Sequence, residues 1–387
     1  MNELVLERTV TVVAYDFVGR VAVTEKRPEL YALLMQAKAY LDDGRQLTAR
    51  DVCDPDKGLL AGWPLVIGER LLALAHEFKL AEGEKGRPRN IVRLTGDGES
   101  ALQQQEVLVP RSGQWRIWLA EQDDILQGER SVLVVEEPTP DRGGQFGGKV
   151  MPTPKELKLL EEKKLEVLYG THRGTTAMRT LRIDKVDPTV EKMPTSARAT
   201  LRWTLPRDAR PELHLSGKVG AWTLDRLIEP PPCSFETVWR EILKAHGRLD
   251  RWNDELGRLL CTLHEVEDRP LALETLATRL PSTQIRLPEL GKFDVGELHD
   301  VPVYPLDDAE ARRWAEGWLI QQVQDHVWPD QFARLREKAI NRFPDRRFGL
   351  SEQGELAATL RAQATRNAKD TALPSVYWRL QTCLDLG

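Results

Sequence analysis

The chain has 387 residues, 41% of them hydrophobic and 30% charged, with a net charge of −5 at neutral pH. That length exceeds a comfortable single core, so two or three domains are expected. The acidic balance excludes a surface that attracts nucleic acid all round, leaving only local basic patches for that purpose, and no run approaches the ~18 apolar residues of a membrane span.

The first stretch, ELVLERTVTVVAYDFVGRVAV, is β-branched and partly alternating, which predicts one or two strands. It also lacks the basic-then-apolar order of a secretory leader, so a cytoplasmic location is expected. The period then changes. In RPELYALLMQAKAYL, Leu30, Leu33, Leu34, Ala37 and Leu41 share one helical face, with Pro28 at the start and Gly44 after the end. LTARDVCD predicts a short helix capped by Thr48. VIGERLLALAHEFKL predicts a third helix whose inward stripe is Leu71, Leu72, Ala75 and Phe78. A basic hairpin, AEGEKGRPRNIVRL, and a capped helix, TGDGESALQQ, follow.

The run IVRLTGDGESAL, with Leu94, Thr95, Gly98, Ala101 and Leu102, resembles the wing strand and closing turn-helix of the winged helix-turn-helix superfamily. Leu94 ends a strand, Thr95 caps the next helix, Gly98 permits a close approach and Ala101-Leu102 face the core. The resemblance covers residues 28–105. It implies a fold more than a function, because winged helices bind proteins as well as DNA.

Further on, EVLVPRSGQWRIWLAEQDDIL and RSVLVVEEP predict strands, and residues 138–154 form a Gly/Pro-rich break. Residues 155–168, KELKLLEEKKLEVL, predict an amphipathic helix. AMRTLRIDKV, ARATLRWTL and ELHLSGKV predict strands, the last two joined through Pro206-Arg207-Asp208. The prolines of EPPPC, 229–233, mark a boundary. From Phe235 a mostly helical pattern is expected. One stripe holds Trp239, Ile242 and Leu243, and the next Trp252, Leu256, Leu259, Leu260 and Leu263. A third holds Trp314, Trp318 and Leu319, followed by Phe332, Leu335, Ala339, Ile340 and Phe343. The expected class is α+β: a winged-helix module with a preceding strand (1–110), a β-rich middle segment with one helix (111–230) and a C-terminal helical domain (231–387).

GGQFGGKV at 143–150 matches all but the last position of a phosphate-binding loop. A working loop follows a strand directly, opens a helix and offers a hydroxyl to Mg²⁺. Here Val150 stands in the hydroxyl position and Met-Pro-Thr-Pro follows, so nucleotide binding is not expected. The wing concentrates Lys85, Arg87, Arg89 and Arg93, the residue types that hold phosphates, and points to duplex DNA. The helix before it presents a mixed face of Glu69, Arg70, His76, Glu77 and Lys79, which leaves a protein-binding use open. A second basic surface is expected where Arg334, Lys338 and Arg342 fall four apart within RLREKAINRFPDRR.

None of the seven histidines forms H-E-x-x-H or another metal-ligand spacing, and the four cysteines, Cys53, Cys233, Cys261 and Cys383, contain no C-x-x-C pair. No metal and no cofactor are expected. ELHDVPVYPLDD gathers Glu297, His299, Asp300, Asp307 and Asp308, the one cluster from which an unrecognised hydrolase or nuclease site could be built. Its prolines instead suggest a strand-to-helix connection capped by Asp307 or Asp308. Trp115/Trp118 and Trp314/Trp318 could stack bases, but both pairs lie on apolar patterns that suit core packing. The apolar final helix, with Val376, Tyr377, Leu380, Leu384 and Leu386, points to a protein partner for the C-terminal domain.

These features imply a non-enzymatic nucleic-acid-binding or adaptor subunit of a cytoplasmic prokaryotic complex. A winged helix fused to motif-poor domains resembles accessory subunits encoded in bacterial phage-defence operons. The alternatives are a metal-dependent hydrolase or nuclease at the acidic cluster, a winged-helix transcriptional regulator, and a pure protein scaffold.

Overall fold

The structure, a computed structural model of the chain, describes residues 3–84, 90–121, 123–137, 148–171, 176–266, 272–366 and 374–381. The class is α+β, with a run of helices at the C-terminus. The predicted first strands are one element, β1 (Glu3–Glu25). Between it and the next long strand lie α1 (Pro28–Asp42), β2 (Leu47–Thr48), α2 (Ala49–Val52), α3 (Leu65–Glu77), β3 (Ala81–Glu82), β4 (Asn90–Ile91), β5 (Arg93–Leu94) and α4 (Gly96–Gln104).

The apolar spacing dictates how these helices pack. Leu30, Leu33, Leu34 and Ala37 of α1 meet Leu71, Leu72 and Ala75 of α3 in one buried cluster that Ile91 and Ala101 complete. The caps are those the sequence indicates. Thr48 and Asp51 form a capping box on α2. The Thr95 hydroxyl accepts from the Gly98 N–H (3.1 Å) and donates to the Lys79 carbonyl (2.6 Å). Gly98 is required sterically, since a Cβ there would lie 2.1 Å from the Leu80 carbonyl oxygen. Short antiparallel pairings join β2 to β4 and β3 to β5.

Next come β6 (Val107–Ala120), β7 (Val132–Glu136), β8 (Lys149–Pro152), α5 (Lys155–Lys158), β9 (Lys164–Gly170) and β10 (Thr176–Val186). Residues 12–25 of β1 pair with β6, β6 with β7, β7 in parallel with β9, β9 with β10, and β10 back to residues 19–23 of β1. The ring is a closed five-stranded barrel, which removes the free edges of those strands. Its interior is filled by Tyr15, Phe17, Trp115, Ile117, Val167 and Leu181 among others, and by Leu157 and Leu160 from the α5 region.

The helix expected over 155–168 is therefore a single turn followed by a strand. Glu162 adopts a positive φ of 65°, which ends the helical path. Beyond it Leu165, Val167 and Tyr169 alternate inward with period two.

The chain continues through β11 (Thr189–Pro206), β12 (Glu212–Val219), β13 (Trp222–Ile228), α6 (Phe235–Ala245), β14 (Trp252–Asn253), β15 (Arg258–Cys261), α7 (Ala272–Thr275), β16 (Ala277–Leu280), β17 (Thr283–Leu287), β18 (Gly291–Val295) and β19 (Leu298–Pro305). It then turns helical in α8 (Asp308–Gln322), α9 (Pro329–Asn341), α10 (Gln353–Arg366) and α11 (Ser375–Leu380).

The stripe expected from Trp252 to Leu263 is not a helix. Asn253 accepts from the Leu256 N–H (2.9 Å) and Gly257 takes a φ of 61°, so a tight turn pairs Trp252 with Leu259 across a hairpin. β1 is shared: its residues 3–16 pair with β11, which leads into the antiparallel β11–β12–β13 meander, and Leu6 and Glu7 pair with β18. Leu4, Leu6, Trp203, Phe293, Trp314 and Phe343 accordingly belong to one continuous core. Among the described residues no helix is long and apolar enough to cross a membrane.

Candidate functional site

Lys85, Arg87 and Arg89 lie outside the described residues, between β3 and β4. Arg93 lies on β5 and is exposed, but its guanidinium bonds both carboxylate oxygens of Glu82 on β3 (2.9 and 2.8 Å). A phosphate at Arg93 would compete with that pair. His76, in the last turn of α3, has its ring nitrogens 2.9 Å from the carbonyls of Ala81 and Asn90. Whichever ring nitrogen carries the proton donates to the carbonyl it faces, which holds the helix against the strands that flank residues 85–89.

The start of α3 carries a feature that periodicity did not reveal. Leu59, Trp63, Leu65 and Val66 are exposed, Trp63 by 58% and Val66 by 63%. Pro64 occupies the N-cap position, so no side chain caps this end. The sequence signal was LLAGWPLV at 59–66, where Gly62 and Pro64 break the regular spacing that would bury these side chains. Arg70 and Glu77 are exposed further along the same helix.

The second basic surface is smaller than its spacing suggests. Arg334 and Lys338 are exposed on α9. Arg342 turns inward: its guanidinium donates to the carbonyls of Leu273 (2.6 Å) and Glu274 (2.8 Å) and lies 4.8 Å from the centre of the Trp318 ring. Burial lowers its pKa. Arg346 is spent similarly on the carbonyls of Pro305 and Leu306. Helical spacing shows which side chains share a face, but not which of them a neighbouring loop's carbonyls have claimed.

The acidic cluster separates. Asp307 caps α8 by accepting from the Glu310 N–H (2.8 Å), with Asp308 in the first turn. Glu297, His299 and Asp300 are exposed at the start of β19, and Glu297 faces Arg279 at 3.8 Å. Among the described residues no group of three or more His, Cys, Asp or Glu is arranged to hold a metal.

Of the phosphate-loop match, residues 143–147 lie outside the described residues. Lys149 and Val150 sit in β8, paired with Lys192 and Glu191, and the next helix begins at Lys155. This lysine does not stand at a helix N-terminus. Trp115, Trp118 and Trp314 are core residues at 2%, 4% and 0% exposure, and Trp318 lies under Arg342, so neither pair is an open stacking platform. Burial, with Glu265 nearby, pushes the Cys261 thiol up to about 11, so at neutral pH it is a poor nucleophile. The chain matches no protein-family model, no curated protein and no solved structure.

Proposed function

We propose that residues 28–105 are a winged-helix module and that the protein is a non-catalytic adaptor subunit of a cytoplasmic prokaryotic complex. The observation that carries this reading is the exposed apolar start of α3. A recognition helix lays its N-terminal residues against base edges, which are read by hydrogen-bonding side chains. Leu65 and Val66 offer none and Trp63 only its indole N–H, whereas exposed aromatic and aliphatic side chains anchor protein interfaces. The winged-helix assignment is supported by the helix, strand, two helices, hairpin and closing helix in that order. A second protein contact on the C-terminal helices is supported by Trp328 and Trp378, exposed by 52% and 60%. The phage-defence setting rests on architecture alone.

The test co-expresses the full chain with the products of neighbouring genes. The Trp63→Ser, Val66→Ser double variant should lose its partner by at least tenfold in capture, since removing a buried aromatic anchor costs roughly 2 kcal/mol or more. Retention there, with loss in a Trp328→Ser, Trp378→Ser variant, would move the main contact to the C-terminal helices. Retention in both overturns the adaptor reading.

A second reading, duplex nucleic-acid contact through the wing, is favoured by Lys85, Arg87 and Arg89 within five residues. On that reading Arg87→Ala with Arg89→Ala weakens binding nearly independently of sequence and lowers the salt slope by about two. Absence of any wild-type binding at low salt eliminates it.

A further inference from the structure

A cavity of about 780 Å³ opens beside the end of the barrel where β6 runs out, between the 121–131 connection and the stretch from β8 to α5. Its volume falls within the range of ligand sites, and barrel mouths are a common place for them. The floor is apolar: Val13, Leu119 and Leu126 are buried there, Met151 is half-buried, and Leu159 stands on the lip at 60% exposure.

One polar group faces this space without a partner. Tyr15 lines the cavity and is only 9% exposed, yet its hydroxyl makes no hydrogen bond among the described residues. The hydroxyl oxygen is open to the cavity's solvent, so a ligand's donor would take the place of water there, with Lys192, Glu121 and Glu156 as the charged groups around it.

The rim is acidic. Glu121 is paired with Lys192 at 3.0 Å, and Asp123 is spent on Arg8 and on the N–H groups of Ile125 and Leu126. Asp124 and Glu156 are exposed at the same rim and have no ion pair among the described residues. A phosphate or carboxylate entering here would meet the carboxylates of Glu156 and Asp124, the latter with Arg8 on its far side, and the one lining lysine is already engaged. A cation on an aliphatic stem meets the opposite situation: the stem covers the floor, and the charged head reaches Glu156 or Asp124 and donates to the Tyr15 hydroxyl.

We infer that this barrel-end cavity binds a basic, partly apolar peptide segment of a partner protein, with a lysine or arginine inserted beside Tyr15. The cavity is larger than one such side chain fills, so the ligand presents neighbouring apolar residues as well. The site lies apart from the apolar start of α3 and does not depend on docking there.

The experiment titrates the full chain with a capped peptide of alternating lysine and leucine, with its glutamate–leucine counterpart, and with n-butylamine. The lysine peptide should bind at roughly micromolar levels, more weakly as salt rises, while the glutamate peptide does not bind. Asp124→Asn combined with Glu156→Gln should weaken binding at least tenfold, and Tyr15→Phe severalfold, with thermal unfolding of each variant unchanged. Equal binding of the two peptides, binding unaffected by the carboxylate substitutions, or no binding at low salt overturns the inference. Butylamine binding as tightly as the peptide also overturns it, in favour of a small amine. Displacement of the lysine peptide from this site by single-stranded DNA would do so in favour of nucleic acid.

Discussion

Arg182→Ala is expected to destabilise the protein by about 3 kcal/mol at neutral pH, the scale of breaking a buried ion pair by removing one partner. Arg182, on β10, is 7% exposed and bonds carboxylates from two elements. Its Nε donates to Asp184 at 2.7 Å, and its Nη1 donates to Asp97 of α4. Lys164 of β9 also holds Asp97, at 2.9 Å. Without the guanidinium, Asp184 keeps, among the described residues, Lys79 and Arg20 at 3.8 and 3.9 Å, and Asp97 keeps Lys164. The network joins the helical module to the barrel, so its loss also frees α4 to shift.

The effect should depend on pH. Burial tends to raise the Asp97 pKa, but hydrogen bonds from Lys164 and Arg182 hold it below the usual carboxylate range. A carboxyl with a depressed folded pKa contributes stability above its unfolded pKa and loses it as pH falls through the folded value. The gap between wild type and variant should thus be full at neutral pH and narrow on acidification below about pH 4. Urea unfolding at the two pH values measures it. A gap under about 1 kcal/mol, or one that ignores pH, would show that Arg182 acts only by packing.

What the sequence revealed and what it hid follow the range of the interactions. Thr48, Thr95 and Gly98 were legible, and Asp307 as one of two adjacent candidates, because a cap or a close approach is settled within a few residues. The stripes of α1 and α3 were legible because one face of each meets a single core. The barrel was not, since its closure depends on β10 returning to β1 across more than a hundred residues. β9 was hidden for a related reason. Glu161, Glu162 and Lys163 precede it in a charged run that reads as helix, and only the partner strands show that Leu165 and Val167 face inward. For the sites the lesson is sharper. Arg334, Lys338 and Arg342 share a spacing, yet the carbonyls that capture Arg342 come from Leu273 and Glu274, far away in the chain. Trp63 and Val66 belong to no stripe, and their exposure becomes visible only once the rest of the module is packed.

Glu136→Ala should cost a similar amount, about 3 kcal/mol, for a different reason: it strands donors. Glu136 ends β7, and its carboxylate accepts from the Trp118 indole N–H (3.0 Å) and the Trp222 indole N–H (2.6 Å). Arg116 lies 3.8 Å away, itself paired through two hydrogen bonds with buried Asp16. Trp118 belongs to the barrel, whereas Trp222 opens β13 at the tip of the β12–β13 hairpin. One carboxylate thus fastens the meander's outer hairpin to the barrel wall. The fit around it is tight, since a Cβ at Gly170 would lie 2.6 Å from the Trp222 ring and one at Gly220 2.7 Å from the Trp118 ring. Removing the carboxylate takes the acceptor from two indole N–H groups, that of Trp118 at 4% exposure and that of half-buried Trp222. Glu136→Gln keeps one acceptor oxygen and the shape of the side chain, so it should cost roughly half as much. Denaturant unfolding ranks the three proteins, and limited proteolysis should cut the 219–222 tip sooner in the alanine variant. If alanine and glutamine cost the same and the tip stays protected, the hairpin is held by ring packing and strand pairing, and the carboxylate adds nothing to that attachment.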